Sequence, residues 1–307
     1  MFFKHHGNEY QYGFVVNRNS VLEEWLFKRD FRSNNKFKPL FERENDNIKI
    51  NGLAGSENFI PMLEAHTLFL SILANAKFVV PKEVYDWFYR HTIMDFGNIS
   101  FESTFTTSLP DDIESEHFRS ELVTFFNTID IPIVGIELEK KEEDDKTSYR
   151  IFSQYNIDGK IKSLNFKEES SGTQKMLSIF IYLKKLLKNG STLWVDELDA
   201  KLHPLLLRHI VTMFHDEVIN PSGAQLIYTT HDHYTLSKDL FRRDQVWFVE
   251  KNDQLQSELY SLAEYRLEND QKVRNDATYN KDYLLGKYGA VPVLKGFDMW
   301  GNNYGKE

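Results

Sequence analysis

Two adjacent carboxylates, Asp196 and Glu197, stand directly after the apolar run Leu193-Trp194-Val195. Neighbouring side chains on an extended backbone point opposite ways, so such a pair divides labour: one acid holds a metal ion, the other polarises a water. Acids at strand ends also cap the element that follows, and that reading stands beside the first. Upstream, Ser170-Ser171-Gly172-Thr173-Gln174 precedes a helical pattern that begins near Lys175. Ser171 with Gln174 three residues later fits a capping box. The same geometry offers free N–H groups and the positive end of a helix dipole to a nucleotide phosphate. Downstream, Leu198-Asp199-Ala200-Lys201-Leu202-His203-Pro204 follows the acid pair, and Thr229-Thr230-His231 closes the next apolar run. A metal site built from Asp196, Glu197, Asp199 and His203 is disfavoured, because Pro204 opens a new helix and alternation splits the side chains between faces.

These residues need a frame, and the chain from Phe166 onward supplies one. A helix over Met176 to Lys188 is stopped by Asn189-Gly190, a strand follows at Thr192 to Val195, and Pro204 opens a helix that Asn220-Pro221-Ser222-Gly223 ends. Gln225 to Thr229 and Gln245 to Val249 make two more strands. Helices alternating with short, continuously apolar strands argue for a mostly parallel sheet flanked by helices, with ligands at the strands' carboxyl ends. The expectation places Asp196 and His231 at the ends of neighbouring strands. Before this frame, the first fifty residues alternate in short runs separated by Asn17-Arg18-Asn19 and Asn45-Asp46-Asn47, which predicts an antiparallel meander. Helical spacing follows from Pro61 to about Arg90, with a second helix opening at Pro81, and again over Asp112 to Thr128. Strands are expected at Ile131 to Leu138 and Tyr149 to Tyr155, joined by a solvated acidic turn, Glu142-Glu143-Asp144-Asp145. The expected division is 1–60, a β-rich arm; 61–130, a helical insertion; and 131–307, a distal lobe.

Composition bounds the chemistry. Thirty-seven Lys and Arg against 46 Asp and Glu give the 307-residue chain a formal charge of −9, which repels nucleic acid in bulk, so any such contact needs a local patch. One candidate is the basic cluster Lys28, Arg29, Arg32, Lys36 and Lys38 interleaved with Phe27, Phe31 and Phe37, which also reads as a solvated hairpin. The absence of cysteine excludes disulfides, thiolate zinc sites and cysteine nucleophiles. No signal peptide is legible, and the most apolar stretch, Phe59 to Val80, is interrupted by Glu64, His66 and Lys77. The expectation is a cytoplasmic protein with no membrane contact.

Taken in order, Ser-Ser-Gly-Thr-Gln, the strand with Asp-Glu, Leu-Asp-Ala with His-Pro, and the strand ending in Thr-Thr-His resemble the distal half of an ABC-type ATPase head. The chromosome-maintenance, recombination-repair and overcoming-lysogenization-like group is the nearest likeness, within it the AAA-domain proteins of abortive infection and phage defence. The resemblance is strong over Glu169 to about Glu250. It extends weakly to Tyr10 to Lys28, similar to the β-rich arm of those proteins, and to Tyr283 to Pro292, similar to their C-terminal end. It implies a P-loop NTPase-like α/β head working with ATP and Mg²⁺, in which Asp196 is the Walker B metal partner and Glu197 the general base. Ser171 and Gly172 belong to the signature loop that meets the γ-phosphate of ATP on the opposite protomer. Asp199 is the D-loop acid at the dimer interface, and His231 the switch histidine. The implied partners are a second head, as a homodimer or paired subunit, and a defence effector protein. Glu169 stands where the family has leucine before the serines, and Asn75 lies in a stretch suited to the glutamine loop.

One part of the pattern is missing. A P-loop requires G-x-x-x-x-G-K-[ST], so that N–H groups and a lysine enclose the β- and γ-phosphates. Gly52-Leu53-Ala54-Gly55-Ser56 lacks the spacing and the lysine, and Gly286-Lys287 is followed by Tyr288. The family places this loop before the β-rich arm, so the expectation is that it lies upstream of Met1. The alternatives are a non-catalytic interaction module with a degenerate ATPase fold, and a metal-dependent nuclease using Asp196, Glu197, Asp199 and the histidines.

Overall fold

Five antiparallel strands open the chain. They are β1 (Phe2–His5), β2 (Asn8–Val16), β3 (Val21–Asp30), β4 (Lys38–Glu44) and β5 (Asn47–Ile50), paired in chain order. The computed structural model describes residues 1–32, 36–97, 109–110, 112–143, 146–266, 273 and 278–291. The chain divides into two units, residues 1–92 and 93–307. In the first, one face of the meander presents Phe3, Tyr10, Tyr12, Leu26 and Phe41 to a core completed by Phe69, Leu70, Leu73 and Val84. The last four come from α1 (Phe69–Asn75) and α2 (Val79–Tyr89). Pro81 lies in the first turn of α2 rather than opening it, a position where its missing N–H removes no helical bond. Glu24 is fully buried and accepts from the N–H groups of Phe69 (2.7 Å) and Leu70 (2.9 Å) and from the Tyr12 hydroxyl (3.0 Å), so a strand carboxylate caps the start of α1.

The second unit packs three small sheets and helices around two buried clusters, a large one and a smaller one built from Val246, Phe248, Leu262, Tyr279 and Tyr288. β6 (Thr92–Asp95) flanks β10 (Thr192–Asp196), whose other neighbour is β11 (Gln225–Tyr228). β10 and β11 are parallel, with Leu193 and Val195 buried in the second unit's core. α3 (Glu116–Thr128) is capped by Ser115 and buries Phe118, Leu122, Phe125 and Phe126. β7 (Gly135–Glu143), β8 (Lys146–Ile157) and β9 (Lys160–Asn165) form an antiparallel sheet. α4 (Ser171–Asn189) precedes β10, and α5 (Pro204–His215) joins β10 to β11. Gly190 ends α4 at φ 64°, and a Cβ there would stand 2.3 Å from the Ser222 carbonyl oxygen, so only glycine fits. β12 (Trp247–Lys251) pairs antiparallel with β13 (Ser257–Ser261), and α6 (Tyr279–Leu284) follows.

The α/β architecture matches the sequence reading, with three differences in detail. β10 pairs in parallel with β11 and is flanked on its other side by β6, while β12 lies outside this sheet and forms a hairpin of its own because Ser257–Ser261 follows it closely enough to pair. β6 lies inside the segment expected to be helical and adds a strand beside Asp196. The helices of 61–130 divide between units: α1 and α2 bury their apolar faces on the meander, α3 on the second core. Asp144, Asp145 and Pro292 lie outside the described residues.

Candidate functional site

Asp196 is the last residue of β10, and the parallel register Val195↔Tyr228 sets Thr229 beside it. The two strands stay in step beyond the ladder: the Thr229 N–H donates to the Val195 carbonyl at 2.9 Å and the Leu198 N–H donates to the Thr229 carbonyl at 3.1 Å. The Thr229 hydroxyl acts in both directions, donating to Asp196 Oδ1 and accepting from the Glu197 N–H at 2.9 Å. One hydroxyl therefore ties both acids to the end of the neighbouring strand, and both acids are exposed.

The backbone turns immediately after Asp196. Glu197 has φ 52°, and the Ala200 N–H donates to its carbonyl at 2.9 Å, while the Leu202 N–H donates to the Asp199 carbonyl at 3.0 Å. A left-handed non-glycine residue costs on the order of 1–3 kcal/mol and persists only where its surroundings demand it. Asp196 and Glu197 are thus separated by a turn, not by the alternation of one continuous strand. The Glu197 carboxylate lies against Gly97, where a Cβ would meet Oε2 at 2.5 Å. β6 is held nearby, because the Phe96 N–H donates to the Asp196 carbonyl at 3.0 Å.

Asp199 is half-buried, and its Oδ1 accepts from the His231 N–H at 3.3 Å. The His231 imidazole is exposed. Past it, Asp232 organises the loop by accepting from the Thr235 N–H (2.8 Å) and hydroxyl (2.7 Å). Burial raises the Tyr228 phenol above its ordinary pKa, and the charges of Asp232 and Asp199 add to this against a hydrogen bond from Thr235. Asp196, Glu197, Asp199, Thr229 and the backbone of His231 form one connected end of the parallel pair.

The expected capping box at Ser171 and Gln174 is corrected. Ser170 is the cap: its Oγ accepts from the Thr173 N–H at 3.1 Å, and Gln174 donates backwards to the carbonyls of Lys167 (3.0 Å) and Glu169 (2.8 Å). The helix begins one residue earlier than a Ser171 cap requires, which leaves Ser171 in the first turn and exposed. A Cβ on Gly172 would touch the Lys201 carbonyl oxygen at 3.5 Å, so this turn lies against the loop that carries Asp199. Lys175, 5% exposed, donates to the Ala200 carbonyl and stands 4.0 Å over the Phe96 ring. Glu169 accepts from the Tyr155 hydroxyl at 2.7 Å and from Ser153, so the residue in the family's leucine position is tied to β8.

His203 caps α5, its Nδ1 accepting from the Leu205 N–H at 3.2 Å. Among the described residues no three His, Asp or Glu side chains are placed to hold a metal ion together. A nucleotide-bound Mg²⁺ needs only one or two protein carboxylates beside phosphates and waters, and the exposed Asp196 carboxylate, oriented by Thr229, fits that role. Asn75 ends α1 in the first unit and is exposed. The bridging role of Thr229 and the buried cation at Lys175 escaped the sequence reading. Their signals were a hydroxyl one residue past an apolar strand and a lysine within an apolar helical stretch.

A family model described as "AAA domain, putative AbiEii toxin, Type IV TA system" matches residues 1–237. Among solved structures, the "SmcHead bound to the C-winged helix domain of ScpA" is similar, with a TM-score of 0.42 and 13% identity over 87% of this chain and 76% of that one. No curated protein matches the chain. Among the described residues no helix is long and apolar enough to cross a membrane.

Proposed function

The chain belongs to this AAA-domain family, and from that premise we propose that it is the ATP-hydrolysing subunit of an ABC-type head, serving phage defence or a DNA-related process in the cytoplasm. The observation that carries the reading is the single hydroxyl of Thr229, which orients the metal-binding candidate Asp196 and the base candidate Glu197 together at the end of the parallel pair. Asp196 would hold the Mg²⁺ of the nucleotide, which supplies charge neutralisation at the β- and γ-phosphates. Glu197 orients a water and accepts its proton; in phosphoryl transfer most catalysis is positioning and electrostatics. Ser171 and Gly172, at the start of a 19-residue helix, present a hydroxyl and N–H groups to a γ-phosphate on a second head. Asp199 holds the His231 backbone and serves the head-to-head interface, and the exposed His231 imidazole senses the γ-phosphate.

No G-x-x-x-x-G-K-[ST] occurs in the 307 residues, so the proposal requires a phosphate-binding loop from outside them, in cis or from a partner chain. The same absence favours a second reading, a non-catalytic interaction module that keeps the fold. Steady-state hydrolysis against protein concentration, with the loop supplied, separates the two. The expected result is turnover that rises more steeply than linearly with concentration and falls by a factor on the order of 10²–10⁴ in Glu197→Gln, with nucleotide binding retained. No hydrolysis in the completed protein establishes the interaction module, and equal rates in wild type and Glu197→Gln overturn the assignment of the base.

A further inference from the structure

The outer face of the first unit's meander gathers exposed phenylalanines and cations. Strand alternation turns Phe3, Tyr10, Tyr12, Leu26 and Phe41 into the core. The opposite face therefore carries Phe2, Lys4, Phe27 and Arg29, aligned across β1, β2 and β3 by the registers Phe2↔Gln11, Lys4↔Glu9, Gln11↔Phe27 and Glu9↔Arg29. Just past the strand ends, Phe31 and Phe37 complete a cluster of rings. Phe2 is 69% and Phe31 50% exposed, a poor use of phenylalanine on a solvated sheet.

The rings and cations are arranged together. Lys4 Nζ stands 3.8 Å from the centroid of Phe31, the Arg29 guanidinium 4.5 Å from that of Phe37, and Phe2 meets Phe37 edge-on at 5.9 Å. Glu9 pairs with Arg29 and lies 3.7 Å from Lys4, so it spans the two cations and fixes both over their rings. Around this platform Arg32 and Lys36 have no carboxylate within ion-pair distance among the described residues, while Lys28, opposite Tyr10, and its partner Lys38 lie at the edge of the core-facing side. Four cations, Lys4, Arg29, Arg32 and Lys36, thus gather about this end of the face in a chain of net charge −9, with Glu9 and Asp30 as their acidic neighbours.

We propose that this aromatic and basic face binds single-stranded nucleic acid, its bases stacking on the exposed rings and its phosphates running along the flanking cations. Stacking platforms framed by positive charge suit unpaired bases, which offer a π-face that a duplex buries and that a folded acidic peptide lacks. The charge complementarity is local, so it operates despite the repulsion of the whole chain. The proposal stands on the first unit alone and is independent of ATP hydrolysis.

Fluorescence anisotropy of the full chain with labelled oligothymidylate tests it. Binding is expected at low salt, weakening as salt rises. Phe31→Ala should lower affinity roughly tenfold, the scale of one lost base stack. The double variant Arg32→Glu/Lys36→Glu should weaken binding and flatten the slope of log K against log salt by about 0.7 per phosphate contact removed. Both changes are at surface positions, and circular dichroism matching wild type confirms that they leave the fold intact. Absence of binding at low salt overturns the proposal. So does equal affinity for a duplex of the same length or for polyglutamate, and so does an affinity unchanged in both variants.

Discussion

At the residue scale the site depends on Thr229, whose hydroxyl is shared between an acid's oxygen and the next residue's N–H. Thr229→Val keeps the shape and removes both bonds. Net loss of two hydrogen bonds at an exposed position costs about 1–2 kcal/mol of stability, read as a lower denaturation midpoint. Turnover of the loop-completed protein should fall further than this loss of stability explains, because the released Asp196 and Glu197 lose their shared orientation. Gly97→Ala separates positioning from stability in another way. The new Cβ would stand 2.5 Å from Glu197 Oε2, the mobile end of a side chain, so the carboxylate swings away and the fold is nearly undisturbed. Stability should change by less than about 0.5 kcal/mol, while turnover drops on the order of 10²-fold, as expected for a displacement of about 1 Å at a reacting group. Unchanged turnover would show that Glu197 acts from a different position.

At the element scale, two carboxylates replace contacts that apolar residues usually make. Glu169 ties the turn before α4 to β8 through Ser153 and Tyr155, and Ser153 is fully buried. Glu169→Leu removes the acceptor of the Tyr155 hydroxyl and leaves Ser153 its weaker bond to the Leu164 carbonyl, and should destabilise the second unit by about 1–3 kcal/mol. Burial, then the hydrogen bond to Glu169 and its charge, pushes the Tyr155 phenol up to about 12. A pKa raised in the folded state contributes stability that is whole below the unfolded value of about 10 and is lost as pH climbs from there through about 12. The midpoint difference between wild type and Tyr155→Phe should therefore be constant at neutral pH and shrink above about pH 10. In the first unit, Glu24→Ala removes the acceptor for two N–H groups of α1 and leaves Arg43, 3.9 Å away, buried without its carboxylate. A loss of about 3–5 kcal/mol is expected, the scale of breaking a buried pair, seen as early melting of the first unit; a loss below about 1 kcal/mol would mean that water replaces the carboxylate.

At the scale of the whole molecule, each unit has its own core, so denaturation need not be two-state, and the Glu24 and Glu169 variants should shift different transitions. The 307 residues hold the Thr229 hydroxyl and the proposed base Glu197, and their sequence contains no G-x-x-x-x-G-K-[ST]. Each charge-assisted hydrogen bond that a P-loop would add is worth about 1.5–3 kcal/mol, so calorimetry of this chain with Mg-ATP should show little heat. Micromolar affinity would reveal a nucleotide site elsewhere in these residues.

The sequence by itself determined what depends on local pattern. Alternating runs and Asn-rich turns specified the meander, Gly190 the end of α4, the apolar strands at 192–195 and 225–228 the parallel pair, and the acids and histidine their places just past those strands. Short-range sterics and burial dictate such features, and neighbours in sequence carry them. The tertiary structure alone decided which partners meet. Thr229 reaches Asp196, 33 residues away, only through the register of two strands, β6 reaches β10 across about a hundred residues, and Glu169 finds Ser153 through a sheet pairing. The cap moved from Ser171 to Ser170 because Thr173, not Gln174, came within reach of a serine oxygen. Periodicity reports which face of an element is buried, but a hydrogen bond between distant segments depends on the packing of both, and no single stretch of residues encodes that.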